Sequence, residues 1–236
     1  GGELFIAIQG EHFDGQDFVQ DAKRSGAVAV MANRQLEVDL PTLAVADTTR
    51  SLGQLAAYCR QQFEIPGIGV TGSNGKTTVR EMIARILESD GPTLAAKGNF
   101  NNHIGLPLTL LKLRDFHRYS VVEMGMNSPR EIGYLARIAK PTVAVITNAA
   151  SAHLEGLGDV TGVARAKAEV FLGLQRNGAA VINADDRFAA YWLARGRRHK
   201  TVTFGLENQA DGTGEVESSD DAIQLEIRLP EESFEV

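Results

Sequence analysis

The segment Thr71-Gly72-Ser73-Asn74-Gly75-Lys76-Thr77-Thr78 narrows the possible folds more than any other part of this sequence. It follows the apolar run Ile68–Thr71 and opens a helical pattern that runs from Thr77 to Leu87. A strand, a glycine turn and a helix in that order form the phosphate-loop unit of parallel α/β proteins. Gly72 and Gly75 let the backbone turn tightly and aim its N–H groups inward. The helix start adds its positive dipole end. Lys76 can reach the β- and γ-phosphates of a bound nucleotide, and the Thr77 hydroxyl can sit on Mg²⁺. The whole loop, Gly72, Ser73, Asn74, Gly75, Lys76, Thr77 and Thr78, is therefore expected to bind a nucleoside triphosphate. The match has one departure: Val70 stands five residues before Gly75, where the standard loop has glycine. A chance Gly-Lys-Thr in a turn is the alternative, and it would not need a strand before it and a helix after it.

The remainder of the chain repeats the alternation. Tyr119–Glu123, Thr142–Thr147, Ala179–Ile182 and Thr201–Phe204 read as strands, and Glu131–Ile138, Val160–Leu174 and Arg187–Ala194 as helices. The order predicts a mostly parallel sheet with helices on both faces. From about Glu215, the spacing of Val216, Ile223, Leu225, Ile227 and Leu229 predicts a terminal hairpin. Upstream, Leu4–Ile8, Ala27–Met31 and Thr42–Ala46 read as strands. One helix runs from Gly15 and Asp17 to Lys23. Another is capped at Asp47-Thr48-Thr49 and carries Leu52, Leu55, Ala56 and Cys59 on one face. Glu64-Ile65-Pro66-Gly67 interrupts the pattern. Two α/β units follow: a small one over residues 1–64, near the lower limit for an independent core, and a phosphate-loop unit over 65–236.

Composition removes several classes of function. A net charge of −6, from 24 basic and 30 acidic residues, speaks against a nucleic-acid surface. A few local cations still suffice for a small anion. Cys59 is the only cysteine, so no internal disulfide can form and a reducing compartment fits. No apolar run approaches the roughly 20 residues a membrane helix needs. The sequence starts at Gly1-Gly2-Glu3 and stops at Val236 just after a β-rich tail begins, so it reads as a fragment or as a chain trimmed at both ends.

Ligands of such sheets gather at the carboxyl ends of the strands. Glu123 closes one strand, and an acid there can hold Mg²⁺ opposite Thr77; a solvated glutamate is the alternative. Asn148 and His153 follow the strand Thr142–Thr147 on the same edge; a lone histidine is more often structural or solvated. Lys167 lies on the apolar face of its helix, four residues after Val163 and four before Phe171. A lysine there must snorkel, pair, for instance with Glu169, or lose its charge. A neutral lysine is nucleophilic and can take up CO₂ to give a carbamate, an oxygen ligand for Mg²⁺.

Several longer motifs carry a family resemblance. They are Gly98-Asn99-Phe100-Asn101-Asn102-His103-Ile104-Gly105-Leu106-Pro107-Leu108-Thr109-Leu110-Leu111, Glu123-Met124-Gly125-Met126-Asn127, Ile146-Thr147-Asn148 with Ala152-His153-Leu154-Glu155, Ala166-Lys167-Ala168-Glu169, and Asn183-Ala184-Asp185-Asp186. With the glycine loop, which is similar to that of Mur ligases and folylpolyglutamate synthetases, they resemble the Mur ligase family. The match is best to its branch that joins D-alanyl-D-alanine to a UDP-N-acetylmuramoyl-tripeptide. Gly2-Glu3-Leu4-Phe5-Ile6-Ala7 and Gly10-Glu11-His12-Phe13-Asp14-Gly15 resemble that branch's uridine-nucleotide unit.

The resemblance implies an ATP-dependent cytoplasmic enzyme, monomeric, that makes an amide bond through an acyl phosphate in cell-wall peptide assembly. Lys76 resembles the lysine that steadies the transferred phosphate. Thr77 and Glu123 resemble ligands of one Mg²⁺, and His153 and a carbamylated Lys167 ligands of a second. Asn148 and Asn183 resemble residues around the nucleotide, Asn183 near the adenine; Asn101 and Asn102 resemble contacts to the UDP-linked substrate. The family's segment ahead of Gly1 and its C-terminal lid are expected to be missing, so the fragment alone should ligate little. A ligase of the same superfamily with another acceptor, and a nucleotide-binding NTPase module without ligase activity, remain the alternatives.

Overall fold

In the computed structural model, which describes residues 1–10, 12–151, 154–218 and 223–229, the chain forms two sheets. The smaller has three parallel strands side by side: β1 (Leu4–Ile6), β2 (Ala29–Ala32) and β3 (Thr42–Ala44). A 3₁₀ turn at Gly15–Phe18 leads into α1 (Val19–Arg24) between β1 and β2. After β3 comes α2 (Thr48–Gln61), capped where Asp47 accepts the N–H of Arg50 at 2.8 Å.

The larger sheet begins with β4 (Gly67–Thr71), α3 (Lys76–Glu88), β5 (Thr93–Ala95), α4 (Gly105–Leu110), β6 (Tyr119–Glu123), α5 (Glu131–Ala139) and β7 (Val143–Ile146). It continues through α6 (Leu154–Leu157), α7 (Val160–Lys167), β8 (Ala179–Asn183), α8 (Ala189–Gly196), β9 (Lys200–Gly205), β10 (Gly212–Ser218) and β11 (Ile223–Arg228). The spatial order is β11-β10-β9-β8-β7-β4-β6-β5, and every pairing is parallel except that of β10 with β11, the expected terminal hairpin. The expected α/β architecture is therefore present. Every residue of β4 and β6 is buried, as central strands with helices over both faces must be. Ala84 and Leu87 of α3 cluster with Ile68, Val70 and Val121 of the sheet. The opposite face holds a larger core that includes Leu106, Met124, Ile132, Leu135, Phe171 and Trp192.

Three local details depart from the sequence reading. β5 has only three residues, too few to display a period. α4 contains Pro107 and starts at a glycine, so its propensities read as a turn; it forms because Asn102 Oδ1 caps the N–H groups of Ile104 (3.1 Å) and Gly105 (2.8 Å), and Leu106 and Leu110 are buried. The helix expected over Val160–Leu174 is α-helical only to Lys167 and then tightens to 3₁₀ over Ala168–Leu172.

The smaller unit joins the larger one through α2, which packs against α4 and α5. The approach to α5 is close: a Cβ on Gly53 would stand 2.0 Å from the Tyr134 hydroxyl. At the end of α2, the buried Arg60 donates to the carbonyls of Ala139 (3.1 Å), Phe63 (2.6 Å) and Ile65 (2.8 Å). Arg60→Met keeps the apolar stem and leaves three carbonyls without their donor. Urea unfolding should show a loss of roughly 2–5 kcal/mol; a loss under about 0.5 kcal/mol, the level of an ordinary surface change, would contradict this account of the junction.

Candidate active site

The carboxyl ends of β4, β6, β7 and β8 meet along one edge, and the residues that follow them form the site. Gly75, with φ 76°, takes the left-handed conformation that lets the glycine loop turn into α3. Gly72 is fixed by space: a Cβ there would fall 1.8 Å from Thr147 Oγ1. Side chains after β7 latch the loop. Asn148 Oδ1 accepts the Asn74 N–H at 2.9 Å, Asn148 Nδ2 donates to the Asn74 carbonyl at 3.1 Å, and Thr147 Oγ1 donates to the same carbonyl at 2.8 Å. Ser73 Oγ accepts the N–H of Ala150 at 2.9 Å. Lys76 folds back over the loop, its Nζ donating to the carbonyls of Gly72 (2.9 Å) and Ser73 (3.2 Å). Thr78 is exposed one residue further along α3.

Glu123, 2% exposed, sits at the end of β6. Its Oε2 accepts the Thr77 hydroxyl at 2.8 Å and lies 3.6 Å from the Arg80 guanidinium; its Oε1 accepts the Asn101 amide at 2.8 Å. The acid is thus not solvated at a strand end, and Asn101 is one of the groups that orient it. Thr77 and Glu123 offer two hard oxygens at hydrogen-bond separation. Such a pair fits Mg²⁺, which keeps several waters and phosphate oxygens and needs only one or two protein groups.

Beside the loop opens a cleft of about 500 Å³, whose walls include Lys76, Asn101, Asn102, Arg130, Tyr134 and Lys167. Lys167 is 2% exposed and makes no ion pair or hydrogen bond among the described residues. Burial, with a further push from the Lys76 cation, pulls its ammonium down to about 7, against a smaller opposing pull from Asp186. The alternative pairing with Glu169 does not occur. That carboxylate turns to α5, where it accepts the N–H groups of Arg130 (2.8 Å) and Gly133 (3.0 Å). Asn183, at the end of β8, donates to the Thr147 carbonyl at 2.9 Å and accepts the Asp185 N–H at 2.9 Å. It stands next to the strand that latches the loop. His153 lies outside the described residues. Among the described residues no group of three or more His, Cys, Asp or Glu is arranged to hold a metal ion, so the two-oxygen arrangement at Thr77 and Glu123 is the metal-compatible feature on view.

Three contributors are given no role by the sequence reading. Arg80 is 1% exposed, bonds the Gly98 carbonyl at 2.9 Å, and is the cation beside Glu123. Its signal was there: with Ala84 and Leu87 it falls on the buried stripe of α3, where an arginine needs a partner. Asp186 holds the Ala149 N–H at 2.7 Å beneath the loop. Arg130 carries a backbone conformation that its residue type does not advertise.

The family described as Mur ligase middle domain matches residues 70–236, and the one described as Mur ligase family, catalytic domain, matches residues 1–60. The chain belongs to the Mur ligase family. It is 47% identical over 191 residues to the UDP-N-acetylmuramoyl-tripeptide–D-alanyl-D-alanine ligase of Escherichia coli K12, an alignment that covers 81% of this chain and 42% of that protein. Among solved structures of Mur ligases, this chain superposes on the UDP-N-acetylmuramoylalanyl-D-glutamyl-2,6-diaminopimelate–D-alanyl-D-alanyl ligase of Acinetobacter baumannii with a TM-score of 0.90 at 36% identity, covering 98% of this chain and 51% of the other. It also superposes on the Thermotoga maritima MurF ligase in complex with ADP, with a TM-score of 0.86 at 32% identity, covering 97% and 53%. The chain spans about half the length of these Mur ligases. Among the described residues, no helix of this Mur ligase chain is long and apolar enough to cross a membrane.

Proposed function

We propose that the protein carrying this chain is the ATP-dependent ligase that adds D-alanyl-D-alanine to a UDP-N-acetylmuramoyl-tripeptide in cell-wall peptide assembly, acting as a cytoplasmic monomer. The observation that carries the reading is the meeting of the glycine loop, the Thr77–Glu123 oxygen pair and a cation-lined cleft on one sheet edge. The kinship with ligases of that name supports the choice of acceptor. In this reading residues 1–64 hold the uridine nucleotide and residues 65–236 hold ATP.

The amides of Gly72, Ser73, Asn74 and Gly75 cradle the phosphates, and Thr78 lies just beyond them on α3. Asn148 keeps the loop in shape, and Asn183 flanks the adenine. Thr77 and Glu123 hold Mg²⁺, and Lys167 with His153 a second ion, Lys167 as its carbamate. Bound Mg²⁺ supplies charge neutralisation of the phosphates. A carboxylate oxygen of the tripeptide attacks the γ-phosphorus of ATP; the bond to the β-phosphate oxygen breaks and ADP leaves. The amine of D-alanyl-D-alanine then attacks the acyl carbon of the acyl phosphate. The C–N bond forms, the C–O bond to phosphate breaks, and the amine proton passes to solvent. The first step brings two anions together, so positive charge dominates the catalysis. Lys76 leaves the loop carbonyls to cover the transferred phosphate, and Asn101 and Asn102 face the donor. A donor of the make-up named for the Acinetobacter ligase, alanyl-D-glutamyl-2,6-diaminopimelate, retains carboxylates that do not react.

Phosphate release by the full-length protein should require both the UDP-muramoyl tripeptide and D-alanyl-D-alanine when tested across a panel of muramoyl peptides and amino acids. Release without a muramoyl peptide would favour a simple NTPase, and preference for another amine would favour a different ligase. ¹³C-bicarbonate should give a carbamate carbon signal that disappears in Lys167→Arg. An unchanged signal would remove the carbamate from this scheme.

A further inference from the structure

We infer that Arg130 is a substrate-positioning residue whose guanidinium grips a non-reacting carboxylate of the acyl donor, an assignment that rests on the acyl-donor reading above. The first observation is conformational. Arg130 stands at the N-cap of α5 with φ 75° and ψ −6°, the left-handed region that favours glycine. For a residue with a Cβ this costs on the order of 1–2 kcal/mol. Backbone strain of that kind gathers at ligand clamps, where the surroundings hold it in place.

The surroundings here are on view. Glu169 accepts the N–H of Arg130 with one oxygen and that of Gly133 with the other, so a single carboxylate pins the strained residue and caps the helix. Glu169 follows Lys167 by two residues, so the segment that brings the buried lysine to the cleft also sets the backbone of Arg130 at the same cleft.

The second observation is what this wall has left to offer. The amides of Arg130 and Gly133 are spent on Glu169, and that of Asn127 is spent on Glu131 Oε2 at 2.6 Å. Those amides cannot then serve an anion in the cleft. The Arg130 side chain is exposed and forms no ion pair or hydrogen bond among the described residues. With Lys76 it gives the cleft a lasting positive charge, in a chain whose net charge is −6.

The third step is chemical. Lys76 belongs to the phosphate loop and serves the reacting end of the donor. Arg130 precedes α5 and does not belong to the phosphate loop, and its planar fork matches a carboxylate in two parallel bonds. A donor peptide held by its reacting carboxylate at one point and by a second carboxylate at another cannot swivel, which is what an in-line attack requires.

The test uses the full-length protein, the UDP-muramoyl tripeptide, and the same donor with its non-reacting carboxylates converted to carboxamides. Arg130→Gly should raise the donor KM by about tenfold or more, the weight of one charge-assisted pair, with a smaller fall in kcat. Arg130→Lys should fall between. Amidation should cost the wild type a similar factor and the glycine variant little. The melting temperature of Arg130→Gly should stay level or rise, because glycine accepts this φ, which separates the substrate role from a structural one. A donor KM within twofold of wild type in Arg130→Gly, or an equal amidation penalty in both proteins, would overturn the assignment. If the wild type shows no release dependent on a muramoyl peptide, the functional proposal fails and this one falls with it, by a different result.

Discussion

Lys76→Ala is expected to lower ATP turnover by the full-length enzyme about 10²–10³-fold, the loss that accompanies removal of one group aimed at transition-state charge. The fold should not suffer. Among the described residues, Lys76 Nζ bonds only the carbonyls of Gly72 and Ser73, while the loop is latched by Asn148, Thr147 and Ala150. Turnover should therefore fall with an unchanged unfolding curve. Phosphate release within about tenfold of wild type, equivalent to less than roughly 1.4 kcal/mol, would remove the loop from the chemistry.

Lys167→Met should act in two opposite directions. Activity should drop by about 10²-fold or more, since a buried amine beside Lys76 in the cleft is replaced by an inert side chain. Stability should rise, because methionine fills the same apolar site without a charge to house. The gain depends on pH, and its sign follows from the lowered ammonium, about 7 in the folded protein against 10.5 ordinarily. Below about 7 both states carry the proton, and the folded state bears the full cost of the buried cation. Between there and 10.5 the folded lysine is neutral while the unfolded one stays charged. The unfolded state then binds more protons, so wild-type stability climbs with pH. The variant should lead by roughly 2–5 kcal/mol at pH 6, and the lead should narrow by pH 9.5. CO₂-depleted buffer keeps the amine free for this measurement. A lead of equal size at both pH values would contradict the titration.

Much of this arrangement was legible before any coordinates, for physical reasons. Strands such as Tyr119–Glu123 announce themselves because a strand buried on both faces must be apolar throughout, and its one acid then stands out. The glycine loop is legible because phosphate binding leaves few residue types free at each position. Lys167 could be singled out by its place on an apolar stripe, although spacing could not tell a pair with Glu169 from a lone amine; the structure shows Glu169 spent on α5. Other features were hidden because they depend on contacts distant in sequence. Asn101 meets Glu123 from 22 residues away. α4 forms in a segment whose Gly105 and Pro107 suggest a turn, since burial of Leu106 and Leu110 outweighs propensity. The left-handed Arg130 was invisible, because nothing in an arginine announces a positive φ.

The lodging of α2 on α4 and α5, with Gly53 set against the Tyr134 hydroxyl, makes this helix part of the packing of the larger sheet's helices. A protein built that way cannot shed α2 while sparing α4 and α5. Slowly exchanging amides should continue from α2 into α5 without a weak seam between them. A change on the Gly53 face of α2 therefore reaches the wall of the cleft, because Tyr134 stands at both.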